Sequence, residues 1–450
     1  MKLAIHAAAG ERFNEIGEQI LRTITKQPRK GSSQPAFKPD IHVAAHLKEK
    51  DILGPVRVEQ QILDGTGVQV GRFFDHEDHR AGIVGEPFQQ LLQLVERIQS
   101  SGLRNVVSLN RLLDTAFAWI EGRYKKVIDE PLVPFLLREI EPMVRQQELW
   151  IPLHRVYLEE PVVIGQVRFE TVTKAMLDER ESQLRKRASP EDLSVVVHYM
   201  ERDRKRFQGT AAAVISVTAE PTRADELAHE RARQAVALMR FFSPANWHPE
   251  IRSYCTLLGD EDVRMETTFT VKDGALSNLS TGVQDRRSKI DWFVTPHIRQ
   301  FPDLLLAISL LADERVKKTD FQAKLLDAML LYSRNSVARE PVDKVVYIFA
   351  ALESMLLKNE SEPVQKNIGE RMAFLIGDNI SSRKEISANV IDVYSKRSLF
   401  VHHGLSITSS GTVSTFMVNA WTCFYRLIDL ARTIPTKDAL IERLEERKFQ

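Results

Sequence analysis

Cysteine is almost missing from this chain of 450 residues. Cys255 and Cys423 are the only two, and they lie far apart. Neither has a second cysteine at metal or redox spacing, so a disulfide framework and a zinc knuckle are both excluded. A reducing compartment is the natural expectation. Long apolar runs are missing too. No stretch of about 18 apolar residues appears, so no membrane span is expected. The opening Met1-Lys2-Leu3-Ala4-Ile5 reaches Glu11 and Arg12 too soon for a secretory segment. The expectation is a soluble, cytoplasmic protein with no membrane partner. An excess of one charge sign is the third absence. Lys plus Arg number 62 against 61 Asp plus Glu, a net charge of +1. Residues 301–450 and the remainder are each close to balance. A globally basic nucleic-acid binder is excluded, and any RNA contact must use a local site.

What is present is an ordinary charged fraction of 27% and a hydrophobic fraction of 43%, enough for real cores. The length suggests two or three domains. Residues 28–40 hold three prolines around Gly31-Ser32-Ser33 and mark a loop. Val56 to Phe74, broken by Asp64-Gly65, have the period of a β-hairpin. Helical spacing follows at Leu91–Ile98 and Leu109–Ile120. Strands are expected at Val163–Phe169, Ser194–His198 and Ala211–Thr218, then a helix over 222–242. Met265–Val271 alternate cleanly ahead of Lys272-Asp273-Gly274, another hairpin turn. From Pro302 onward apolar residues recur at three- and four-residue intervals in six or seven segments. The expected fold class is α+β: a mixed N-terminal region with antiparallel strands (1–150), a second α+β region of sensor type (151–300) and an all-α bundle (301–450).

One stretch is distinctive. Residues 398–425 contain no Asp, Glu, Lys or Arg. Val413, Phe416, Met417, Ala420, Trp421, Phe424 and Leu427 form a helical stripe within and just beyond it. Two readings stand: a bundle core, or a core that also meets a second copy of the chain. At its entrance stands Asp392-Val393-Tyr394-Ser395-Lys396-Arg397-Ser398-Leu399-Phe400-Val401-His402-His403-Gly404, with an Arg-x4-His pair in Arg397 and His402. Upstream come Ala350-Ala351-Leu352-Glu353-Ser354-Met355-Leu356 and Ile368-Gly369-Glu370-Arg371-Met372-Ala373.

In order and spacing these three segments resemble the HEPN superfamily, and more closely the Apea-like HEPN proteins of bacterial defence systems. The resemblance covers roughly residues 320–435. It implies a helical domain that dimerises through its helices and cuts RNA without a metal or other cofactor. The 2′-hydroxyl attacks the adjacent phosphorus, leaving a cyclic phosphate and a 5′-hydroxyl. It also implies a role in anti-phage defence of the abortive-infection type, with a phage-derived trigger acting on the N-terminal region. The catalytic pair would be Arg397 and His402. A histidine titrates near neutrality and can move a proton, while an arginine stays charged and offers a planar fork to phosphate oxygens. Five residues advance about 140° around a helix, so the pair cannot share one narrow face. His402 is therefore expected where the helix ends, with Gly404 as a C-cap candidate. Ser398 stands where many of these nucleases have Asn, Asp or His, although the Apea-like branch often has Arg-Ser. His403 is a supporting candidate for an RNA phosphate. Glu353 and Arg371 also support the site: each sits on an apolar helix face, where a lone charge is costly, so they pair with each other or Glu353 orients Arg397. A different class of function stays open: a catalytically silent HEPN dimer serving as scaffold or regulatory module.

Other signals carry less. Asp75-His76-Glu77-Asp78-His79 lacks the spacing that sets two histidines on one helical face, and no metal is expected there. Gly65, Gly67 and Gly71 open no helix, which excludes a dinucleotide fingerprint. Arg185–Arg187 and Arg202–Arg206 are basic but interleaved with acids, so a solvated surface is expected.

Overall fold

The computed structural model describes residues 2–28, 60–63, 69–260, 265–272, 275–283, 292–403 and 410–449; for 28, 60–63, 265–272, 275–283, 292–293, 400–403, 410 and 449 it describes the backbone alone. The chain divides into two compact units. One comprises residues 1–147 with 217–227, the other 148–216 with 228–450.

The first unit begins with helix α1 (Ala7–Leu21), then β1 (Thr25–Pro28), β2 (Gln60–Leu63), β3 (Gln69–His76) and β4 (His79–Val84). These form an antiparallel sheet in the order β1-β4-β3-β2. The β2–β3 pairing is the hairpin expected from the alternation; its Asp64-Gly65 turn lies outside the described residues. Gly82 faces Phe73 across β3 and β4, and a Cβ there would strike the Arg72 carbonyl, so only glycine lets the strands close. Helices α2 (Glu86–Ile98), α3 (Leu109–Tyr124) and α4 (Leu132–Ile140) complete the layer. Phe88, Leu91, Val95, Phe117, Trp119 and Leu136 fill the core. Arg72, 5% exposed, donates to Asp114 at 2.8 Å and lies over the Phe117 ring at 4.8 Å.

Glu220 is fully buried in this unit. Burial works against its charge, but backbone N–H groups of Ser108, Thr222 and Arg223 donate to it at 2.8–3.0 Å and hold its carboxyl below the ordinary value.

Next come β5 (Arg145–Pro152), β6 (Val156–Tyr157), β7 (Val162–Ile164) and β8 (Val167–Thr171), then helices α5 (Lys174–Arg187) and α6 (Leu193–Phe207), strand β9 (Ala211–Ala219) and helix α7 (Pro221–Met239); all but the first residues of β5, the last of β9 and the first turns of α7 belong to the second unit. Its sheet runs β5-β9-β8-β7. Gly165, with φ of +61°, turns β7 into β8. Residues 194–198, expected as a strand, lie inside α6. The three consecutive valines favour a strand locally, but the window was too short to decide. Val195 is exposed while Val196 and Met200, four residues apart, pack with Leu177 and Leu184 of α5. Salt bridges from Arg204 to Asp178 and Glu181 tie the two helices together. Within the two basic clusters of this hairpin, Arg185 and Arg204 are matched by acids, while Lys186, Arg187, Arg202, Lys205 and Arg206 form no ion pair with a described residue.

Strands β10 (Met265–Lys272) and β11 (Ala275–Val283) form an antiparallel hairpin, and β12 (Trp292–Phe293) pairs parallel with β6. Helices α8 (Val294–Arg299), α9 (Pro302–Ala312), α10 (Asp320–Val337), α11 (Pro341–Leu356), α12 (Val364–Ile376), α13 (Ile380–His403), α14 (Ser410–Leu430) and α15 (Lys437–Glu446) follow. The architecture is therefore mixed α+β, with antiparallel sheets toward the N-terminus and helices dominating the remainder. No helix among the described residues is long and apolar enough to cross a membrane.

The segment after α7 is built into the helices. Phe241 stacks on Trp421 at 5.4 Å and meets Tyr332 at 5.8 Å. Lys344 of α11 is fully buried, and its Nζ donates to the carbonyls of Ala245, His248 and Ile251. Burial pushes this amine down to about 7. Lys344 was not among the expected site residues, although a lysine inside the apolar stripe of α11 was a visible signal. The packing explains why the expected regions 151–300 and 301–450 fall in one compact unit.

Candidate functional site

The α14 part of the uncharged stretch turns one face into the bundle core. Val413, Phe416, Met417, Ala420, Phe424 and Leu427 of α14 are buried, and Phe416 stacks on Phe349 of α11 at 4.7 Å. Phe349 also meets Tyr394 of α13 edge-on at 5.2 Å. One turn further along each helix come Glu353 on α11 and Arg397 on α13. The Arg397 charge reaches the Glu353 carboxyl. Two successive rungs in the same sense make α11 and α13 locally parallel. Helix α12 is pinned to α13 by Gln365, which donates to the Ile391 carbonyl at 3.0 Å and the Ser395 hydroxyl at 3.1 Å. Asn389 ties α13 to α14, donating to the Thr412 carbonyl at 3.0 Å and accepting from Asn419 at 3.2 Å.

Arg397 is half-buried, with its guanidinium 5.5 Å from the Tyr394 ring. Its Nε is buried and has no hydrogen-bond partner among the described residues. A buried Nε in this state recurs at Arg111 and Arg123 of the first unit. Opposite Arg397, burial raises the Glu353 carboxyl above its ordinary value, while the Arg397 charge acts in the other direction.

His402 and His403 lie on the last turn of α13, which runs unbroken through Arg397 to His403. Their side chains, and Gly404, lie outside the described residues. Arg397 and His402 are separated by about 7.5 Å of rise along this helix. Ser398 follows Arg397 and is half-buried.

Of the two expected arrangements, pairing of Glu353 with Arg371 is not what forms. Arg371, 3% exposed, donates to the Leu356 carbonyl at 2.7 Å, to both oxygens of Glu362 at 2.6 and 2.8 Å, and to Glu445 at 3.1 and 3.2 Å. The Glu362 carboxyl is pushed down to about 2, chiefly by that hydrogen-bonded guanidinium. Arg371 thus joins the end of α11, the following loop, α12 and α15. Glu362 and Glu445 were unreadable as its partners because they stand 9 and 74 residues away in the chain. Tyr394 and Phe349, which align the rung beside Arg397, also went unassigned. Tyr394 stood three residues before Arg397, one helical turn, which was the signal for it.

Among the described residues no group of three or more His, Cys, Asp or Glu could hold a metal ion. Both cysteines are buried and free, with burial pushing the Cys255 thiol up to about 12 and the Cys423 thiol further still. Neither fits a nucleophile. Compared with known proteins, the chain matches no family model, no curated sequence and no solved structure.

Proposed function

We propose that the helices from α10 to α14 form a HEPN-type domain that cuts RNA without a metal. Arg397 holds the scissile phosphate and His402 moves the proton. The observation that carries this reading is the state of Arg397: a guanidinium fixed against Tyr394, beside a carboxyl that resists ionisation, with a buried nitrogen that no described group engages. A structural arginine in the same bundle, Arg371, is fully engaged instead. The order of the three motif segments supports the same reading.

In the proposed reaction the 2′-oxygen loses its proton and bonds to phosphorus. The bond from phosphorus to the 5′-oxygen breaks, and that oxygen takes up a proton. The products are a 2′,3′-cyclic phosphate and a 5′-hydroxyl. Arg397 stabilises the charge gathering on the phosphoryl oxygens, and His402 supplies acid–base catalysis. Glu353 is a positioning residue for Arg397, with Ser398 and His403 as further polar contacts for the strand. Two copies of α13, related by a two-fold axis, would place both motif residues of each protomer in one groove. Cleavage that halts translation would make the chain an anti-phage, abortive-infection protein, with the N-terminal unit receiving the trigger.

The deciding experiment is RNA cleavage by the full chain with chelator present. His402→Ala is expected to lose about 10²–10⁴-fold in rate, as removal of an acid–base group does. Cleavage equal in wild type and variant, or abolished by chelator, sinks the mechanism. A folded dimer that cuts no RNA under any condition would favour the silent-scaffold alternative.

A further inference from the structure

At the other end of α13 from Arg397, about 21 Å away along the helix axis, lies a cavity of about 600 Å³. Its walls come from the end of α12, the start of α13, α14 and α15, all within the second unit. Four arginines line it, Arg383, Arg426, Arg443 and Arg447, together with Asp378 and Asp429. Six charges thus meet around one concave space, with an excess of two positive.

The arginines are not held by carboxylates. Elsewhere in the chain exposed arginines close tightly on acids, as Arg233 does on Asp260 at 2.5 Å and Arg299 on Glu160 at 2.8 Å. None of these six residues forms an ion pair with a described residue. Two of them have a structural task. Arg383 donates to the Gly377 carbonyl at 3.3 Å and lies over the Phe374 ring at 4.9 Å; Arg447 donates to the Phe374 carbonyl at 3.2 Å. These contacts cap the end of α12 and fix two guanidinium groups in the wall. Arg426 and Arg443 are exposed and make no side-chain hydrogen bond among the described residues. They make no structural bond there, yet both line the same space.

We propose that this cavity binds a phosphorylated small molecule of nucleotide size. Its volume falls in the range of about 300–1,000 Å³ usual for small-ligand pockets. Several guanidinium groups around one concavity suit a diphosphate or triphosphate, which each can grip through paired hydrogen bonds. The two aspartates set the rest of the specificity. They repel the continuous phosphate backbone of a nucleic acid, but they accept hydrogen bonds from ribose hydroxyls or a base amino group. Phe374 and the aliphatic side chains of Leu430, Leu440 and Leu444 supply apolar wall for a base.

The proposal does not depend on the ribonuclease reading, because its test measures binding and not cleavage. Full-length protein is titrated calorimetrically with ATP, with pyrophosphate and with a short single-stranded RNA. The same is done for Arg426→Gln/Arg443→Gln. ATP is expected to bind wild type with Kd below about 1 mM and the double variant ~10-fold or more weaker. The melting temperature should stay unchanged, because neither side chain makes a structural bond. Pyrophosphate binding as well as ATP would assign the affinity to the phosphates alone; weaker binding would show that the nucleoside is also held. The proposal falls if wild type binds neither ATP nor pyrophosphate, or if the double variant binds both equally well. It also falls if only RNA binds through these arginines.

Discussion

Arg371 and Arg397 stand in the same helical bundle, one helix apart, and both interrupt apolar stripes. Their surroundings are opposite. Arg371 is enclosed by two carboxylates and a helix-end carbonyl, so the cost of burying its charge is offset by hydrogen bonds on every side. Arg397 lies against an aromatic ring and a reluctant carboxyl, with one nitrogen undonated. The first arrangement is what a structural ion cluster needs. On the proposed function, the second leaves donor capacity for a phosphate.

Substitutions can test this contrast directly. The largest effect is expected from Arg371→Ala, which strands Glu362 and Glu445 near one another and releases the end of α11. A loss of about 3–5 kcal/mol in chemical denaturation is expected, as for breaking other buried pairs. A loss under ~1 kcal/mol would remove the structural role assigned to it. Arg397→Ala should behave in the reverse way, with stability within ~1 kcal/mol of wild type and, on the proposed chemistry, cleavage lower by about 10²–10³-fold. Severe destabilisation by this change would make Arg397 a second structural arginine.

Acid should weaken the Arg371 cluster. The Glu362 carboxyl lies at about 2 in the fold, below its unfolded value of 4.5. The unfolded chain therefore binds more protons between those values, and stability falls as pH drops through that window. In Arg371→Ala that segment of the pH–stability curve should flatten; an unchanged curve would place the acid sensitivity elsewhere.

Glu353 has the opposite sign and the smallest effect. Its carboxyl is raised above 4.5 by burial, so the folded state binds its proton more tightly. Its contribution is fully present below the unfolded value and is lost as pH rises. Glu353→Gln should then melt at or slightly above wild type at neutral pH, with the gap closing in acid. A clear loss of stability at neutral pH would mean that an ion pair with Arg397 outweighs burial.

Much of the helical architecture was legible. The recurrence of apolar residues after Pro302 anticipated the helices from α9 to α15, since a buried face on a 3.6-residue period leaves a direct mark on the chain. The Met265–Val271 alternation likewise matched β10. Ser194–His198 failed because three valines are a local preference, and packing of α6 on α5 overrode it. The pairing of Glu353 with Arg371 failed for another reason. Charge complementarity says that a buried arginine needs an acid, not which acid, and Glu362 and Glu445 arrive through the turn after α11 and through α15. The arginine cavity was invisible for the same reason, its four cations being drawn from three segments, α13, α14 and α15 with the turn after it, that share no motif.

By itself the sequence determined the mixed α+β class, the positions of most elements and the near-neutral charge that rules out broad electrostatic capture of RNA. Each of these follows from composition or from a period shorter than one element. Only the tertiary structure decided which charges are neutralised. That depends on distances between residues remote in the chain, and it separates Arg371, locked in its cluster, from Arg397 and from Arg426 and Arg443, whose charge is still available to a ligand.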